Sequence, residues 1–257
     1  VEPQTQKVIC ERRGHTLVIT INRPEARNAV DYETSLQMEA ALDALDADPD
    51  LRVGIITGSN KTFSAGADLK AAAKGESSIT ERRGGFGAFA RPSLKPTIAA
   101  VEGFAVGGGF ELCLSCDLVV AARGAKFGLP EVRHNVVAVG GALFRLPRRI
   151  PYNVAMEMAI TGHFRNAEDL YGLGFVNRLA EEGQALSVAL SFAEEVLANG
   201  PTAVWASREI MFQSNNWTDE GAWSEQWKIA RVALDSEDAK EGLRAFAEKR
   251  KPQWKGR

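Results

Sequence analysis

Three apolar runs in the first half of the chain, Val53-Gly-Ile-Ile-Thr-Gly58, Thr97-Ile-Ala-Ala-Val101 and Leu118-Val-Val-Ala-Ala122, carry no charge and no regular apolar–polar alternation. A strand with one face in water alternates. A strand covered on both faces does not, which is the habit of parallel sheets packed between helices. A fourth run, Leu17-Val-Ile-Thr-Ile-Asn22, is rich in β-branched residues and stops at Arg23-Pro24, a strand passing into a turn. Between these runs, residues 32–47 place Leu36, Ala40, Leu42 and Leu45 at helical spacing and close near Pro49. The triplet Gly107-Gly-Gly109 opens a short helix over residues 110–116. Repeated strand and helix units of this kind predict an α/β core.

From Gly140 onward the strand signal nearly disappears. Helical patterns follow at 141–149, 152–160, 167–172, 184–199, 202–214, 218–232 and 238–249, with only 174–178 reading as extended. The expected organisation is an α/β core over residues 1–195 and a helical region over 196–257. Trp205, Trp217, Trp223 and Trp227 recur there at near-helical spacing, as core or subunit contacts. Helices that cannot wrap a core of their own dock on another surface, so an oligomer is expected. Residues 71–95 break the pattern and read as a functional or mobile loop. In it Arg82, Arg83 and Arg91 either meet a phosphorylated ligand or belong to a solvated charged loop.

Charge narrows the partners. With 31 basic and 33 acidic residues among 257, the formal net charge is -2, which makes no case for nucleic acid or an anionic membrane. Three cysteines are too few for a disulfide framework and fit a reducing compartment. Residues 1–14 carry scattered charges rather than the apolar stretch of a signal peptide, and no run of about 18 apolar residues occurs. The expected location is the cytoplasm.

Two segments stand out chemically. Phe63-Ser-Ala-Gly-Ala-Asp-Leu-Lys70 lets a ligand approach bare backbone amides because it lacks bulky side chains. Gly103-Phe-Ala-Val-Gly-Gly-Gly-Phe-Glu-Leu112 is a glycine run opening a helix, where free N–H groups suit an anion or a developing oxyanion. It matches neither the dinucleotide fingerprint nor the phosphate loop. Glu111 sits among apolar neighbours in that helix, and Glu131 follows Leu129-Pro130. Buried carboxylates are costly unless paired, and burial moves them toward acid–base usefulness. Taken singly, each also fits a helix-dipole partner or a salt bridge.

The stretch from Ala100 to Leu118, with Val-Gly-Gly-Gly-Phe-Glu at its centre, followed by Ala125-Lys-Phe-Gly-Leu-Pro-Glu131, resembles the signature of the enoyl-CoA hydratase/isomerase (crotonase) superfamily. The likeness runs through Asn22-Arg-Pro-Glu-Ala-Arg-Asn28, Gly140-Gly141, Arg145-Leu-Pro-Arg148 and Ser236-Glu-Asp-Ala-Lys-Glu-Gly242, so it covers nearly the whole chain. Residues 69–75 and the C-terminal residues 248–257 are similar to carnitinyl-CoA dehydratases.

The resemblance implies a crotonase-like spiral of repeated ββα units with a C-terminal helical region used for oligomerisation, as a trimer or a dimer of trimers. It implies an oxyanion hole from the amides of Ala67 and Gly108, and Glu111 and Glu131 as the catalytic pair. A coenzyme-A site is implied at Ala65, Gly66, Asp68, Leu69 and Lys70, completed by Phe246 and Lys249, in some relatives across a subunit boundary. The substrate is then an acyl-CoA thioester, with no metal and no separate cofactor.

The segment Glu131-Val-Arg-His-Asn-Val-Val-Ala-Val-Gly-Gly141 departs from the hydratase pattern. Asn135 stands near the usual Gly and Ala138 near the usual Pro, where the acyl pocket is bordered, so chain-length preference is left open. His134 reads as a surface residue or a donor to substrate. The absence of an acid between Asn135 and Gly141 favours hydration over double-bond isomerisation. Cys113 and Cys116 read as buried small side chains rather than a redox pair. The expected activity is hydration of a 2-enoyl-CoA to a 3-hydroxyacyl-CoA. A carnitinyl-CoA dehydratase, an enoyl-CoA isomerase and a non-catalytic acyl-CoA binder remain as alternatives. Ser64 and Ser115 lack the histidine and acid that a serine hydrolase needs.

Overall fold

The computed structural model describes residues 6–257. Residues 1–5, the start of the charged N-terminal stretch, lie outside the described residues.

Eleven strands form in chain order among the described residues: β1 (Val8–Arg13), β2 (Thr16–Ile21), β3 (Val53–Gly58), β4 (Ile79–Thr80), β5 (Gly84–Gly85), β6 (Thr97–Val101), β7 (Phe104–Val106), β8 (Leu118–Ala122), β9 (Lys126–Gly128), β10 (Arg165–Asn166) and β11 (Arg178–Ala180). The main sheet has the order β1-β2-β3-β6-β8-β11. All its pairings are parallel except β1 with β2. The apolar runs behave as their composition predicts. Val53, Ile55, Ile98, Ala100 and Val120 point to one face, while Ile56, Ala99, Val101, Val119 and Ala121 point to the other.

Each face is covered by helix. The first is closed by α7 (Ala185–Leu197), whose Ala185, Ala189 and Ala193 form a small-residue stripe at four-residue spacing that lets the helix lie close to the strands. The second receives α1 (Tyr32–Ala47) and α3 (Gly108–Ser115). Asp31 caps α1 by accepting from the Thr34 N–H at 2.8 Å. The buried stripe of α1 is Met38, Ala41, Leu42 and Leu45, while Leu36 and Ala40 face outward. Glu39 and Asp43 cause this rotation, because both are committed to ion pairs with the segment after residue 80.

A second layer sits on that face. β7 and β9 pair in parallel, β10 adds antiparallel, and single bridges from Ser64 to Ala105 and from Val30 to Ala67 extend the layer on its other side. A main-sheet strand, a short second-layer strand and a helix therefore recur, as in β6, β7 and α3. This is the ββα spiral.

Residues 71–95 correct the mobile reading of this segment and the phosphate reading of Arg82 and Arg83, while Phe86 and Phe89 carry its functional reading as part of a cleft wall. The segment folds into the β4–β5 hairpin followed by buried Phe86, Ala88 and Phe89, and does not form a loose loop. Arg83 is buried, with Nε at 2.8 Å from Asp43 and one terminal nitrogen at 2.7 Å from Asp46. Arg82 pairs with Glu39 and Asp43. Both arginines are spent on fixing this segment to α1 and are not held for a phosphate.

The second half contains α4 (Ala142–Arg145), α5 (Tyr152–Thr161), α6 (Ala167–Gly172), α8 (Pro201–Ser214), α9 (Asp219–Leu234) and α10 (Glu237–Ala247), besides the four-residue α2 (Leu69–Ala72) earlier in the chain. The helix expected over 141–149 breaks after Arg145 into a 3-10 turn at Leu146–Arg148, where Pro147 removes an N–H donor. The extended stretch falls at 178–180 rather than 174–178. α8, α9 and α10 pack on one another, and Trp223 and Trp227 of α9 remain exposed. Trp205 lies against the core, its ring under the Lys95 ammonium at 5.3 Å.

The last residues strap these helices down. Asp238 accepts from the amides of Lys255 and Gly256 at 2.7 and 2.8 Å, and Trp254 Nε1 donates to Ala198 at 3.0 Å. The Trp254 ring lies on Gly200 and Gly242, which have no side chain to hold it away. Trp254→Ala is expected to cost about 2 kcal/mol. A melting temperature lowered by about 4–8 °C in a thermal scan would check this.

Candidate active site

The turn after β2 holds the first half of the site. Asn28 accepts from the Arg23 amide at 3.0 Å and donates to the carbonyls of Ser59 and Thr62 at 2.9 and 2.7 Å. It thereby fixes the chain on both sides of β3. Val30 donates to Gly66 at 2.9 Å and accepts from Asp68 at 3.0 Å, so residues 64–68 run beside it. Ser64 in turn accepts from Val106 at 3.1 Å and donates to Phe104 at 2.9 Å, which sets the 64–67 and 105–108 segments side by side. Among the described residues, the Ala67 and Gly108 N–H groups find no acceptor. Gly108 begins α3, where a helical N–H has no preceding carbonyl to bind.

Glycine is required here for shape. Gly66 has φ +95, and a Cβ on it would sit 2.8 Å from the Val106 oxygen and 3.3 Å from the Gly108 nitrogen. A Cβ on Gly107, at φ +56, would come within 3.2 Å of a Glu131 carboxylate oxygen. The paired segments therefore bring both amides and one acid to the same spot.

Glu111 is 4% exposed on the first turns of α3. Its Oε1 accepts from the Ala142 amide at 3.1 Å. Burial raises its pKa, opposed by the amides of Ala142 and Gly140 and by the Arg145 guanidinium. Glu131 lies on a 3-10 turn, Pro130–His134, started by Pro130. Burial raises its pKa, its own amide lowers it, and the charge on Glu111 raises it again. Its Oε2 is buried and has no partner among the described residues.

These groups line one open cleft of about 610 Å³. Of the residues singled out from sequence, Ala65, Gly66, Ala67, Leu69, Gly108, Glu111, Glu131 and His134 meet in it. Asp68 does not. Its carboxylate pairs with Arg23 at 3.0 Å and caps α2 through the Lys70 and Ala71 amides. Lys70 is exposed outside the cleft lining, as are Lys249 and Phe246, the latter at 87% on α10. Cys113 is buried inside α3 and Cys116 at its C-terminal cap, and burial pushes the Cys116 thiol up to about 12, which makes it a poor nucleophile. Ser64 donates to the Asn28 carbonyl at 2.8 Å and Ser115 to the Glu111 carbonyl at 3.0 Å, so neither is a free nucleophile.

A model of the enoyl-CoA hydratase/isomerase family matches residues 11–257. The chain belongs to that family. An enoyl-CoA hydratase of Mycobacterium tuberculosis is 40% identical over 256 residues, 97% of this chain and 96% of that protein. A carnitinyl-CoA dehydratase of Salmonella agona is 42% identical, covering 96% and 97% of the two chains. Among solved structures, an enoyl-CoA hydratase of Mycobacterium marinum superposes with TM-score 0.96 at 51% identity, covering 98% of this chain and 99% of that one. A carnitinyl-CoA hydratase of Mycobacterium avium reaches TM-score 0.80 at 40% identity, covering 99% and 100%.

The support behind Glu111 was not foreseen from the sequence. Arg145 reaches the Phe89 carbonyl at 2.6 Å and the Gly140 carbonyl at 3.3 Å, pinning the turn whose amide grips Glu111. A guanidinium in an otherwise apolar stretch directly after Gly-Gly was the available signal. No helix of the described residues is long and apolar enough to cross a membrane.

A raised carboxyl pKa has a consequence for stability. Below the unfolded value, about 4.3, the contribution of Glu131 is fully present, and it is lost as pH rises through the higher folded value. Glu131→Gln, always neutral, is expected to melt at a higher temperature than the parent at pH 8. The gap should close toward pH 4 in melting curves recorded across that range.

Proposed function

We propose that this chain is an enoyl-CoA hydratase, adding water across the 2,3 double bond of a 2-enoyl-CoA to give the 3-hydroxyacyl-CoA. The observation that carries it is the meeting of two unpaired amides and two raised carboxyls in one cleft. The thioester oxygen lies between the Ala67 and Gly108 N–H groups. As water bonds to C3, the π electrons move onto that oxygen, and the two donors stabilise the enolate. Glu111 takes the proton from water and Glu131 gives one to C2, and transfer of a proton from Glu111 back to Glu131 through solvent restores the pair, so that a single water is added in total.

The division of labour follows from the surroundings. Glu111 is held by N–H donors that favour a carboxylate, the form a base requires. Glu131 has an oxygen without a donor and sits near a like charge, and both favour the protonated form that an acid requires. The pair titrates jointly. The reaction is redox-neutral and the coenzyme A enters with the substrate, so the reading calls for no further cofactor and no metal.

The acyl-CoA lies along Ala65, Gly66 and Leu69, and its nucleotide passes Lys70. Phe246 and Lys249 then serve the cleft of a neighbouring subunit, in a trimer or a dimer of trimers built through α8, α9 and α10. What supports this is the uncovered apolar face made by Trp223, Trp227, Leu243 and Phe246.

Crotonyl-CoA hydration, followed by loss of the enoyl absorbance, tests the reading. Glu111→Gln and Glu131→Gln are each expected to lose about 10²–10⁴ in kcat. The parent profile of kcat/KM against pH should be bell-shaped, with both limbs above the ordinary glutamate value of about 4.3. Binding of thioester without turnover in the parent, across a broad acyl panel, would instead identify an acyl-CoA-binding protein.

Gly66→Ala places a methyl group between the two donors. A loss of about 10²–10³ in kcat is expected, of the size seen when one oxyanion donor is removed. A rate within twofold of the parent would show that the thioester oxygen sits elsewhere.

A further inference from the structure

A second cavity of about 350 Å³ lies behind the cleft, on the far side of the segment that departs from the hydratase pattern. It shares Glu131, Val137 and Ala138 with the cleft, so these three residues form the wall between the two spaces. Beyond that wall the surfaces are hydrocarbon: Leu129 and Leu146 from the chain flanking the site, Ala155 and Met156 from α5. The polar side chains bordering it are those of Glu131 and Tyr152.

We propose that this cavity takes the distal end of an unbranched apolar acyl chain, making the protein selective for 2-enoyl-CoAs longer than crotonyl-CoA. The inference rests on the hydratase reading above, because it uses Glu131 as the group facing the reacting double bond. With C2 and C3 at Glu131, the next carbons of the chain stand at the wall, and the shared residues offer a continuation into the apolar space. Val137 and Ala138 carry short side chains there, and neither has the fixed φ of a proline, so the wall can yield to a chain passing it. Each methylene moved from water into such a space strengthens binding about fourfold, ~0.8 kcal/mol.

The same chemistry excludes a quaternary-ammonium tail. A trimethylammonium needs an anion or an aromatic face in contact. Among the residues bordering this cavity the one carboxyl is Glu131, which is engaged in the proposed proton transfer and pushed toward its neutral form, and the one aromatic ring is that of Tyr152, 62% exposed to solvent and unaccompanied by a second ring. An unpaired cation in hydrocarbon surroundings is strongly disfavoured. This separates the chain from the carnitinyl-CoA dehydratases it is similar to.

The test is steady-state hydration of C4, C6, C8 and C10 trans-2-enoyl-CoAs by the full-length parent and by Ala159→Trp. That substitution lies on α5 and fills the second cavity from its far side. In the parent, kcat/KM is expected to rise about tenfold or more from C4 to C8. In the variant the C8-to-C4 ratio is expected to collapse by about tenfold or more. A thioester ending in trimethylammonium should be turned over about 100-fold less efficiently than its neutral carbon isostere.

A flat parent series, an unchanged ratio in the variant, or equal use of the ammonium substrate overturns the proposal. A second copy of the chain, or any other protein segment, filling the cavity would produce the first two of these. If crotonyl-CoA is hydrated and the series is flat, only the chain-length inference fails. If no enoyl-CoA is hydrated at any length, the hydratase reading fails with it. Should Ala159→Trp not fold, the parent series and the ammonium pair decide alone.

Discussion

Two short chain segments laid side by side in parallel underlie everything this protein does with its cleft. Residues 64–67 and 105–108 exchange backbone hydrogen bonds through Ser64, Phe104 and Val106, and each then turns directly into a helix. A helix start leaves its first N–H groups without carbonyls. Gly108 is such a start, while Ala67, which precedes the Asp68 cap of α2, has its N–H left out of the bridge to Val30, so that two amides without acceptors among the described residues lie on neighbouring segments. Gly66 and Gly107 permit it, since the backbone there has positive φ and any side chain would enter the space itself. A one-residue slip in the pairing would reverse the direction of each N–H, so the site depends on register more than on any single side chain.

Around that pair the fold places acids that it could not tolerate elsewhere. Glu111 is buried on a helix fixed by Phe110 and Leu112, and the turn at 140–142 supplies the amide that makes its charge acceptable. Arg145 sustains that turn from behind by gripping the carbonyls of Phe89 and Gly140. Glu131 has less support, with one oxygen left without a partner. Such a group reduces stability in its ionised form and is useful because of it, since a carboxyl that resists ionisation can deliver a proton near neutral pH. The charged residues near β4 and β5 work in the opposite sense. Arg82 and Arg83 are matched by Glu39, Asp43 and Asp46, which holds the Phe86 and Phe89 wall of the cleft in place.

The chain shares its architecture with enoyl-CoA hydratases and carnitinyl-CoA hydratases alike, at TM-scores of 0.96 and 0.80. In the proposed reaction both carboxyls would serve addition or loss of water alike, because a catalyst lowers the barrier in each direction. On that proposal substrate choice comes from the space beyond C3, which the 132–139 segment and α5 would bound.

Local chemistry was legible in the sequence. Unalternating strands announced a parallel sheet, the glycine run and the small residues at 63–70 marked where amides are bare, and Glu111 and Glu131 stood out as acids in apolar company. Those features depend on neighbours within a few residues, which a sequence displays directly. The short strands β7 and β10 were not legible, nor was the rotation of α1 that turns Leu36 outward, because each is set by partners far along the chain. Asp68 looked like a ligand contact, and only its distant partner Arg23 shows it to be a cap and an ion pair. The conjunction of residues 67, 108, 111 and 131, the buttress at Arg145 and the second cavity behind Val137 exist only in three dimensions. Composition and spacing determined which groups were available, and long-range packing decided which of them meet, because proximity between residues so far apart is a property of the folded sheet and not of the chain.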